Sequence, residues 1–568
     1  MKRIKSYLLG LIVLLIILFG TVVLIETYQV KVPVNPSQYN KQTISHLRFT
    51  EKIKQQNYNL FKNDKYFEFS NWNPYIDEKI NIYIPANLCQ KLFECYVNMQ
   101  DSSRILIKKG EIEIQMEAGS SQFSVNGNLV DESLVPFSKE EILYIPLEII
   151  ANKLGYEIDL NTQNGIISIN GEGVQTILEK YDYRTVGRSP SIKDQGYLST
   201  CWAVASLSAL ESFLLPNEDI KLSADHMSIQ NNFSNTQSDG GNYTMSMAYL
   251  VGWQGPILEA DDPYGDGISV EGIAPIKHVQ GIQIIKEKDY EKIKEMVYKY
   301  GAIQTSIYLA METQYMPSIY YNQDTYSYCY TGEESPNHEV IIIGWDDTYP
   351  VENFNGIAKN NGAFICQNSW GTKFGEEGIF YVSYEDFNIG KYNLAYTRID
   401  EPSNYDNIYQ TDLCGWVGQL GYDKNTVYFA NIYTTPKQEK LAAVGFYATN
   451  TELSYEIYIV RDFKDETSFK SKEILQVGSI ENVGYYTIDI KDKIILEKDE
   501  KYAIVVNVKR KKGTASVAVE YEEEASYVQK IDLENGEGYI SADGKTFERT
   551  ESKYKSNVCL KAYTDDIN

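Results

Sequence analysis

The run Gln195–Ala203, with the sequence QGYLSTCWA, restricts the possible folds of this chain more than any other segment. Cys201 begins an apolar stretch that predicts an amphipathic helix over 201–215, which Pro216 ends. A helix N-terminus stabilises a thiolate, because the helix dipole places partial positive charge there. The run therefore predicts a nucleophilic cysteine, and a fold that brings a base to it.

Two later motifs contain the base and the group that orients it. His338 follows Asn337 and precedes the apolar run 340–345, which predicts a buried strand that holds the imidazole rigidly. Asn368 can accept a hydrogen bond from the second ring nitrogen of His338, and this bond fixes the tautomer. Trp370 can cover that bond and exclude water.

The same segments contain donors for an oxyanion. The side chain of Gln195 and the backbone N–H of Cys201 can together bind a negatively charged oxygen. One donor of this kind accelerates acyl transfer by about 10²–10³-fold. Nucleophile, base, orienting amide and oxyanion donors together predict cleavage of peptide bonds through a thioester.

The ordered set of motifs resembles the papain family of cysteine peptidases. The similarity covers residues 178–402, and its order and spacing are those of the family, whereas a Cys-Trp pair alone would be weak. The matching runs are Gln195-Gly196, Cys201-Trp202-Ala203, Gly240-Gly241, Asn337-His338, Gly344-Trp345, Asn368-Ser369-Trp370-Gly371 and Gly375-Glu376-Glu377-Gly378.

The resemblance implies a two-lobed fold and a role for each matching residue. Cys201 corresponds to the nucleophile, His338 to the base, Asn368 to the orienting residue and Gln195 to the oxyanion donor. It also implies that Gly240-Gly241 pairs with an extended peptide in the manner of an added strand.

Three residues depart from the family pattern. Leu198 stands where a half-cystine is common, so that disulfide is absent. Glu339 stands where a small residue usually lines the specificity pocket, and it either favours a basic substrate side chain or points to solvent. Phe374 replaces a tryptophan near the leaving-group side, where with Trp370 it is expected to contact substrate.

The chain is too long for one core, and its flanks predict a multidomain α+β protein. Residues 28–78 read as a polar spacer, with a helix predicted over 44–60. Residues 79–172 combine short strands, an Asn-Gly hairpin at 125–129 and one helix after Pro146. This stretch resembles the copper amine oxidase N-terminal module, and the resemblance implies no copper chemistry.

The C-terminal region, residues 405–565, predicts a β-sandwich. Five strands at regular spacing begin near Thr426, Ala442, Tyr455, Tyr485 and Tyr502. In style and domain order the region resembles the lectin-like domain of clostridial-type surface cysteine peptidases. That resemblance implies carbohydrate binding by name only, because the sequence has no identifiable sugar site.

The N-terminus predicts export. Residues 7–25 are almost uninterrupted apolar sequence after a basic flank at 2–5, which is enough to span a bilayer with the flank in the cytoplasm. No clean cleavage site precedes Glu26, so residues 1–27 are interpreted as a signal anchor, with a cleaved signal peptide as the alternative. Residues 28–568 are exported in either case.

Charge and cysteine content exclude several classes of function. A net charge of −25 argues against nucleic-acid binding, which needs a basic surface. Seven cysteines are too few for a disulfide-built scaffold, and none has C-x-x-C spacing; with only four histidines, neither a zinc site nor a cofactor is expected. Possible pairs are Cys89–Cys95, Cys329–Cys366 and Cys414–Cys559.

Two other functions remain open at this point. One is a catalytically silent surface adhesin that keeps the fold, although no catalytic residue is missing. The other is a transpeptidase that passes the thioester to an amine. The region before residue 178 is interpreted as a stalk, with an inhibitory pro-segment as the alternative.

Overall fold

The computed structural model describes residues 59–567 except 63–64, 67–73, 78–80, 100–102, 111, 140–141, 162–165, 172–177, 312–315 and 535–536. The predicted membrane span at 7–25 and most of the predicted spacer and helix at 44–60 lie outside these residues. Within the described part, no helix has both the length and the apolar character needed to cross a membrane.

Three small sheets surround one core in the N-terminal module. Its helices are Ala86–Leu88 (3₁₀), Cys89–Phe93 and Leu147–Lys153. Its strands are Asn59–Lys62, Lys65–Tyr66, Tyr75–Ile76, Ile82–Pro85, Tyr96–Met99, Arg104–Lys109, Ile112–Glu117, Gln122–Val125, Asn128–Asp131, Phe137–Lys139, Ile142–Pro146, Glu157–Asn161 and Ile166–Asn170.

Local signals of this module fold as expected. The hairpin turn has φ of 51° at Asn126 and 77° at Gly127, which a type I′ turn requires. The helix Leu147–Lys153 follows Pro146, and Gly155 adopts φ of 80° just beyond its end.

The spacer boundary at residue 78 was placed too late. Strand Asn59–Lys62 pairs in parallel with Ile166–Asn170, and Tyr75–Ile76 pairs with Ile82–Pro85. These segments therefore belong to the module. The partner of the first strand lies far downstream, so the local sequence pattern carries no sign of the pairing.

A helical lobe and a strand lobe form the central domain. The helices are Tyr183–Val186, Cys201–Leu214, Ala224–Ile229, Tyr243–Val251, Tyr290–Lys299, and the 3₁₀ turns Val351–Phe354 and Pro402–Asn404. The strands are Lys180–Asp182, His278–Ile285, Ile303–Ile307, Tyr321–Asn322, Ser327–Tyr328, His338–Asp346, Ala363–Gln367, Ile379–Ser383 and Asn393–Asp400.

The helix Cys201–Leu214 is central to this domain, and it is buried on nearly all sides. The sequence predicted an amphipathic helix instead, because polar residues such as Ser206 and Glu211 are usually exposed. Both are buried with partners: Ser206 Oγ donates to the Trp202 carbonyl over 2.8 Å, and Lys193 Nζ donates to Glu211 over 2.6 Å. Paired polar groups can be buried, so the helix lies inside the domain.

The predicted sandwich of the C-terminal domain consists of a six-stranded sheet packed face to face against one end of a 13-stranded sheet, with a separate three-stranded sheet beside them. Phe429 of the six-stranded sheet meets Phe446 of the 13-stranded sheet with ring centroids 6.1 Å apart. The strands are Asn407–Tyr409, Gly418–Gly421, Thr426–Thr434, Glu439–Ala448, Leu453–Val460, Glu473–Ile480, Val483–Leu496, Lys501–Arg510, Ser516–Tyr521, Gly538–Ser541, Glu548–Arg549, Ser556–Val558 and Leu560–Asp566, with helix Thr550–Tyr554 and 3₁₀ turns Glu466–Ser471 and Glu524–Ser526.

One sheet of 13 strands runs through both the central and the C-terminal domain. The junction is the antiparallel pairing of His278–Ile285 with Val483–Leu496. Side chains reinforce it, since Thr487 donates to Gln280 over 2.6 Å and Arg398 binds Asp489 over 3.1 Å. The two domains therefore share a continuous hydrogen-bonded backbone.

Candidate active site

A cavity of about 450 Å³ lies between the two lobes of the central domain. Cys201, from the helical lobe, and His338, from the strand lobe, both line it. Gly240, Gly241 and Glu339 line it too. The fold thus brings five of the nine predicted site residues to one cleft, although they are separated by up to 138 positions in the sequence (339 − 201).

Cys201 is the first residue of its helix and is half-buried. Thr200 is the N-cap residue, but its hydroxyl bonds to Tyr264 instead of capping the helix. The N-terminal end of the helix dipole therefore acts on the thiol at the wall of the cleft.

His338 begins the strand His338–Asp346, where it pairs with Ile307 of the neighbouring strand. Its Nε2–H donates to Oδ1 of Asn368 over 2.7 Å. The indole of Trp370 lies beside the imidazole, with ring centroids 5.3 Å apart. His338 is therefore held at one nitrogen, and Nδ1 is left for chemistry in the cleft.

The charge states of the pair are governed by burial. Burial and the nearby Glu339 carboxylate raise the pKa of the Cys201 thiol to about 12. Burial also lowers the pKa of the His338 imidazole to about 4, although the bond to Asn368 opposes this. Taken separately, both shifts favour the uncharged form of each group, a neutral thiol and a neutral imidazole.

Gln195 is joined to the segment that carries Asn368. Its side-chain Oε1 accepts the hydroxyl of Ser369, and its backbone N–H donates to the Ser369 carbonyl over 2.8 Å. Its Nε2 donates to the Leu198 carbonyl over 2.6 Å. Because Oε1 accepts the Ser369 hydroxyl, only the amide nitrogen of Gln195 can act as a donor to another group. One of its two N–H groups binds the Leu198 carbonyl, and the second is left as a donor.

Trp202 leaves no room for a side chain at Gly241, the second residue of the glycine pair. A Cβ on Gly241 would lie 2.5 Å from the indole of the buried Trp202, next to Cys201. Gly240 has φ of 87°, and its carbonyl accepts the side chain of Asn235. The Gly240–Gly241 segment can therefore approach the helix Cys201–Leu214 closely.

Glu339 does not point to solvent. It is 6 % exposed, and its carboxylate accepts Ser306 Oγ over 2.8 Å and Gln304 Nε2 over 3.1 Å. Burial raises its pKa to about 7. Of the two interpretations of this residue, the structure excludes the solvent-directed one and leaves a carboxyl in the wall of the cleft.

Phe374 lies behind the site instead of lining it. It is 2 % exposed and packs between Trp370 and Tyr321, with ring centroids 5.4 and 5.6 Å away. Phe374 therefore has too little exposed surface for the predicted contact with substrate. The smaller ring acts as a support for Trp370, which itself remains partly exposed.

Nine residues that line the cavity were not among the predicted site residues, and four of these come from outside the sequence motifs and their immediate neighbours: Tyr243, Ser306, Tyr392 and Tyr527. Ser306 and Tyr392 come from separate strands and loops with no motif of their own. Tyr527 comes from the C-terminal domain. None of them has a local sequence signal, so only the fold reveals them.

The N-terminal module packs away from this cavity. Tyr96 OH donates to the Val186 carbonyl over 3.0 Å, and Lys299 lies 3.5 Å from Glu94. None of the described residues between 59 and 171 lines the cavity.

All seven cysteines, every one of which lies in the described part, are free thiols. The suggested pairs Cys89–Cys95, Cys329–Cys366 and Cys414–Cys559 are therefore not formed. Cys201 differs from the other six, because each of those is buried.

A half-exposed cysteine at a helix N-terminus, facing a His–Asn pair across a two-lobed cleft, is the arrangement of papain-like cysteine peptidases. Family models agree. Residues 177–397 match the papain family cysteine protease, residues 408–564 the lectin like domain, and residues 61–169 the copper amine oxidase N-terminal domain.

Relatives and solved structures agree as well. The viral cathepsin of Bombyx mori nuclear polyhedrosis virus is 29% identical over 263 residues, which cover 44% of this chain and 74% of that protein. The viral cathepsin of Rachiplusia ou multiple nucleopolyhedrovirus is 28% identical over 300 residues, 51% of this chain and 82% of that protein. The protease and lectin-like domains of Cwp84, a surface layer associated protein of Clostridium difficile, match with a TM-score of 0.61 and 26% identity, over 68% of this chain and 89% of that one.

The chain is therefore a papain-like cysteine peptidase. It carries a copper amine oxidase N-terminal module before the catalytic domain and a lectin-like domain after it.

Proposed function

We propose that this peptidase is an exported endopeptidase that hydrolyses proteins at the cell envelope through Cys201, His338 and Asn368. The observation that carries the proposal is the 2.7 Å bond from His338 to Asn368, with Cys201 and His338 facing one cavity. That bond selects the tautomer whose Nδ1 can take the thiol proton.

The proposed reaction has two steps. Cys201 gives its proton to Nδ1 of His338, and the thiolate forms a C–S bond with the carbonyl carbon of the substrate. The oxyanion accepts hydrogen bonds from Gln195 and from the Cys201 backbone. As the C–N bond breaks, His338 protonates the leaving amine. A water then gives a proton to His338, its oxygen attacks the thioester, and the thiolate leaves with the carboxylic acid product released.

Glu339 gives the cleft a chemical preference in this proposal. Glu339 and Asp239 are both among the residues that line the cavity, and no lysine or arginine is among the described lining residues. A basic substrate side chain can neutralise the buried Glu339 carboxylate, whereas an acidic one would be repelled. The proposed substrates are therefore proteins with a lysine or arginine near the cleaved bond.

The envelope location rests on the sequence and on a relative. The basic flank and apolar run at 7–25 support membrane anchoring with the catalytic domain outside. Cwp84, the structural relative, is described as surface layer associated. The name of the C-terminal family supports a carbohydrate of the cell surface as a second partner. Fractionation of cells, followed by protease treatment of intact cells, tests the anchor and its orientation.

Covalent labelling tests the catalytic proposal. The full chain in mild detergent is treated with an epoxysuccinyl peptide and analysed by intact mass. One adduct is expected, because only Cys201 is not buried. The adduct should be absent in Cys201→Ala and form more slowly in His338→Ala. A folded parent that stays unlabelled, or labelling that persists in Cys201→Ala, would contradict the proposal. Addition of amine acceptors to the substrate assay separates hydrolysis from transpeptidation.

A further inference from the structure

One wall of the catalytic cavity comes from outside the catalytic domain. Tyr527, in the lectin-like domain, lines the cavity together with Gly240 and Gly241. Its hydroxyl donates to the Asp239 carbonyl over 3.1 Å, immediately before Gly240. Its own carbonyl accepts the backbone N–H and the hydroxyl of Ser234, over 2.9 and 2.8 Å.

These three bonds tie Tyr527 to the loop that carries the glycine pair. Ser234 and Asp239 lie at the two ends of a short turn, so Tyr527 bridges it. A second contact from the same domain supports this loop, because the Cys414 thiol lies 3.4 Å from the Asn232 carbonyl. The peptide-binding edge is thus held in place from the lectin-like domain.

Tyr527 is itself held rigidly. It directly precedes Val528 in the loop Glu523–Val528, with φ of 58°, and Glu523 and Val528 exchange backbone hydrogen bonds. Ser526 and Tyr521 both donate to the Glu523 carboxylate, over 3.2 and 2.9 Å. The loop is therefore closed at its base and braced inside, and the tyrosine ring has a defined position.

The shared sheet fixes this loop relative to the nucleophile. The strand pairing Gly281–Tyr486 through Ile284–Val483 joins the two domains by backbone hydrogen bonds. A domain on a flexible tether could not supply a cleft wall. A domain that continues the catalytic sheet can, because its position is set by the same hydrogen-bond ladder that positions the strand lobe.

We propose that the lectin-like domain completes the peptide-binding cleft, and that Tyr527 forms a subsite wall for a large apolar or aromatic side chain of the substrate. A peptide that pairs with Gly240–Gly241 runs past the ring of Tyr527, where such a side chain packs against it. This subsite rests on the proposed peptidase function. It gives the C-terminal domain a role in substrate selection that is separate from any carbohydrate binding.

The test compares two fluorogenic substrates on the full chain. One is a dipeptidyl amide; the other has the same two residues preceded by Phe and a capped Gly. The quantity of interest is the ratio of kcat/KM for the longer peptide to that for the shorter one. In Tyr527→Ala this ratio should fall about tenfold, since an aromatic contact and its buried area are lost. The kcat/KM for the dipeptidyl substrate, which does not reach the ring, is the reference for any effect of the variant on the Gly240–Gly241 loop itself.

Matched variants distinguish a direct contact between Tyr527 and the substrate from support of the loop that carries Gly240–Gly241. Tyr527→Phe keeps the ring but loses the bond to Asp239, and should retain most of the ratio. Glu524→Gln, an exposed change in the same loop, should equal the parent. Tyr527→Leu is the second variant if Tyr527→Ala does not fold, with an intermediate ratio expected.

Two results would overturn the inference. An unchanged ratio in Tyr527→Ala or Tyr527→Leu would mean that substrate does not meet the ring. An equal fall for both substrates would mean that Tyr527 only supports the loop. A parent that turns over neither peptide and resists the epoxysuccinyl probe would instead refute the peptidase function, and the subsite would fall with it.

Discussion

Oδ1 of Asn368 accepts two hydrogen bonds, from Nε2 of His338 over 2.7 Å and from the backbone N–H of Ser369 over 2.8 Å. Two donors on one oxygen fix which way the amide faces. The imidazole is therefore oriented by a group that is itself oriented by the backbone.

Asn368→Ala is expected to lower kcat/KM by about 10- to 100-fold, which corresponds to losing one hydrogen bond to a charged imidazolium. The effect should fall mainly on kcat, because Asn368 orients the base and does not line the cavity. Steady-state kinetics with enzyme titrated at its active site measure it. Asn368→Gln is a control for polarity without the correct reach. An Asn368→Ala variant with parental kcat would contradict the assigned role.

The preference for basic side chains should depend on pH through Glu339. Its pKa is raised to about 7 by burial, so it is protonated in mild acid and charged above neutrality. Burial and the Glu339 carboxylate raise the pKa values of Tyr243 and Tyr396, so both hydroxyls remain neutral through this range. We expect the ratio of kcat/KM for an Arg substrate to that for a Leu substrate to rise about tenfold between pH 5.5 and 8.5.

The same Cys201–His338 pair cleaves both substrates, so the ratio of their kcat/KM values does not depend on the titration of that pair. In Glu339→Gln the ratio should be low and independent of pH. A parental ratio that does not change with pH would show that Glu339 does not meet the substrate.

The raised pKa of Glu339 also has a consequence for the stability of the folded protein. The folded state holds this proton better than the unfolded one, so its stabilising contribution is complete below about pH 4.5 and is lost as the pH rises through about 7.

Gly241→Ala should damage both stability and activity. The added Cβ would lie 2.5 Å from the Trp202 indole, which is buried and cannot move freely. Overpacking of this kind destabilises by about 1–3 kcal/mol. Thermal unfolding and the labelling rate of Cys201 measure the two effects. The double variant Gly241→Ala with Trp202→Phe should recover part of the loss, and no recovery would argue against a clash with the indole.

The sequence predicted the features that local pattern determines. The helix at Cys201 was placed within one residue of its observed end, and the type I′ turn at Asn126–Gly127 formed as expected. A helix start and a tight turn depend on the conformations of a few adjacent residues. The strands of the β-sandwich were predicted for the same reason, because apolar and polar residues alternate along each strand.

Features that depend on distant partners could not be predicted. The direction of Glu339 is decided by Gln304 and Ser306, which donate to it from a neighbouring strand. Phe374 is buried because Tyr321 and Trp370 enclose it. The amphipathic interpretation of the Cys201 helix failed likewise, because Lys193, which pairs with the buried Glu211, comes from outside the helix.

Gly484 connects the two domains, and its replacement tests whether they act as one body. It has φ of 151°, and a Cβ there would overlap the carbonyl of Ile282 in the paired strand. Gly484→Ala should therefore disrupt the junction and destabilise by about 2–4 kcal/mol, from backbone strain and the steric overlap together. Amide hydrogen exchange should rise selectively across residues 281–284, which pair with it. Gly119→Ala is the control, because that residue also has a positive φ, 83°, but nothing lies within 4 Å of the added Cβ, so it reports the cost of a positive φ without steric overlap. If the two variants lost equal stability and exchange at 281–284 stayed parental, the sheet would not be what couples the lectin-like domain to the catalytic one.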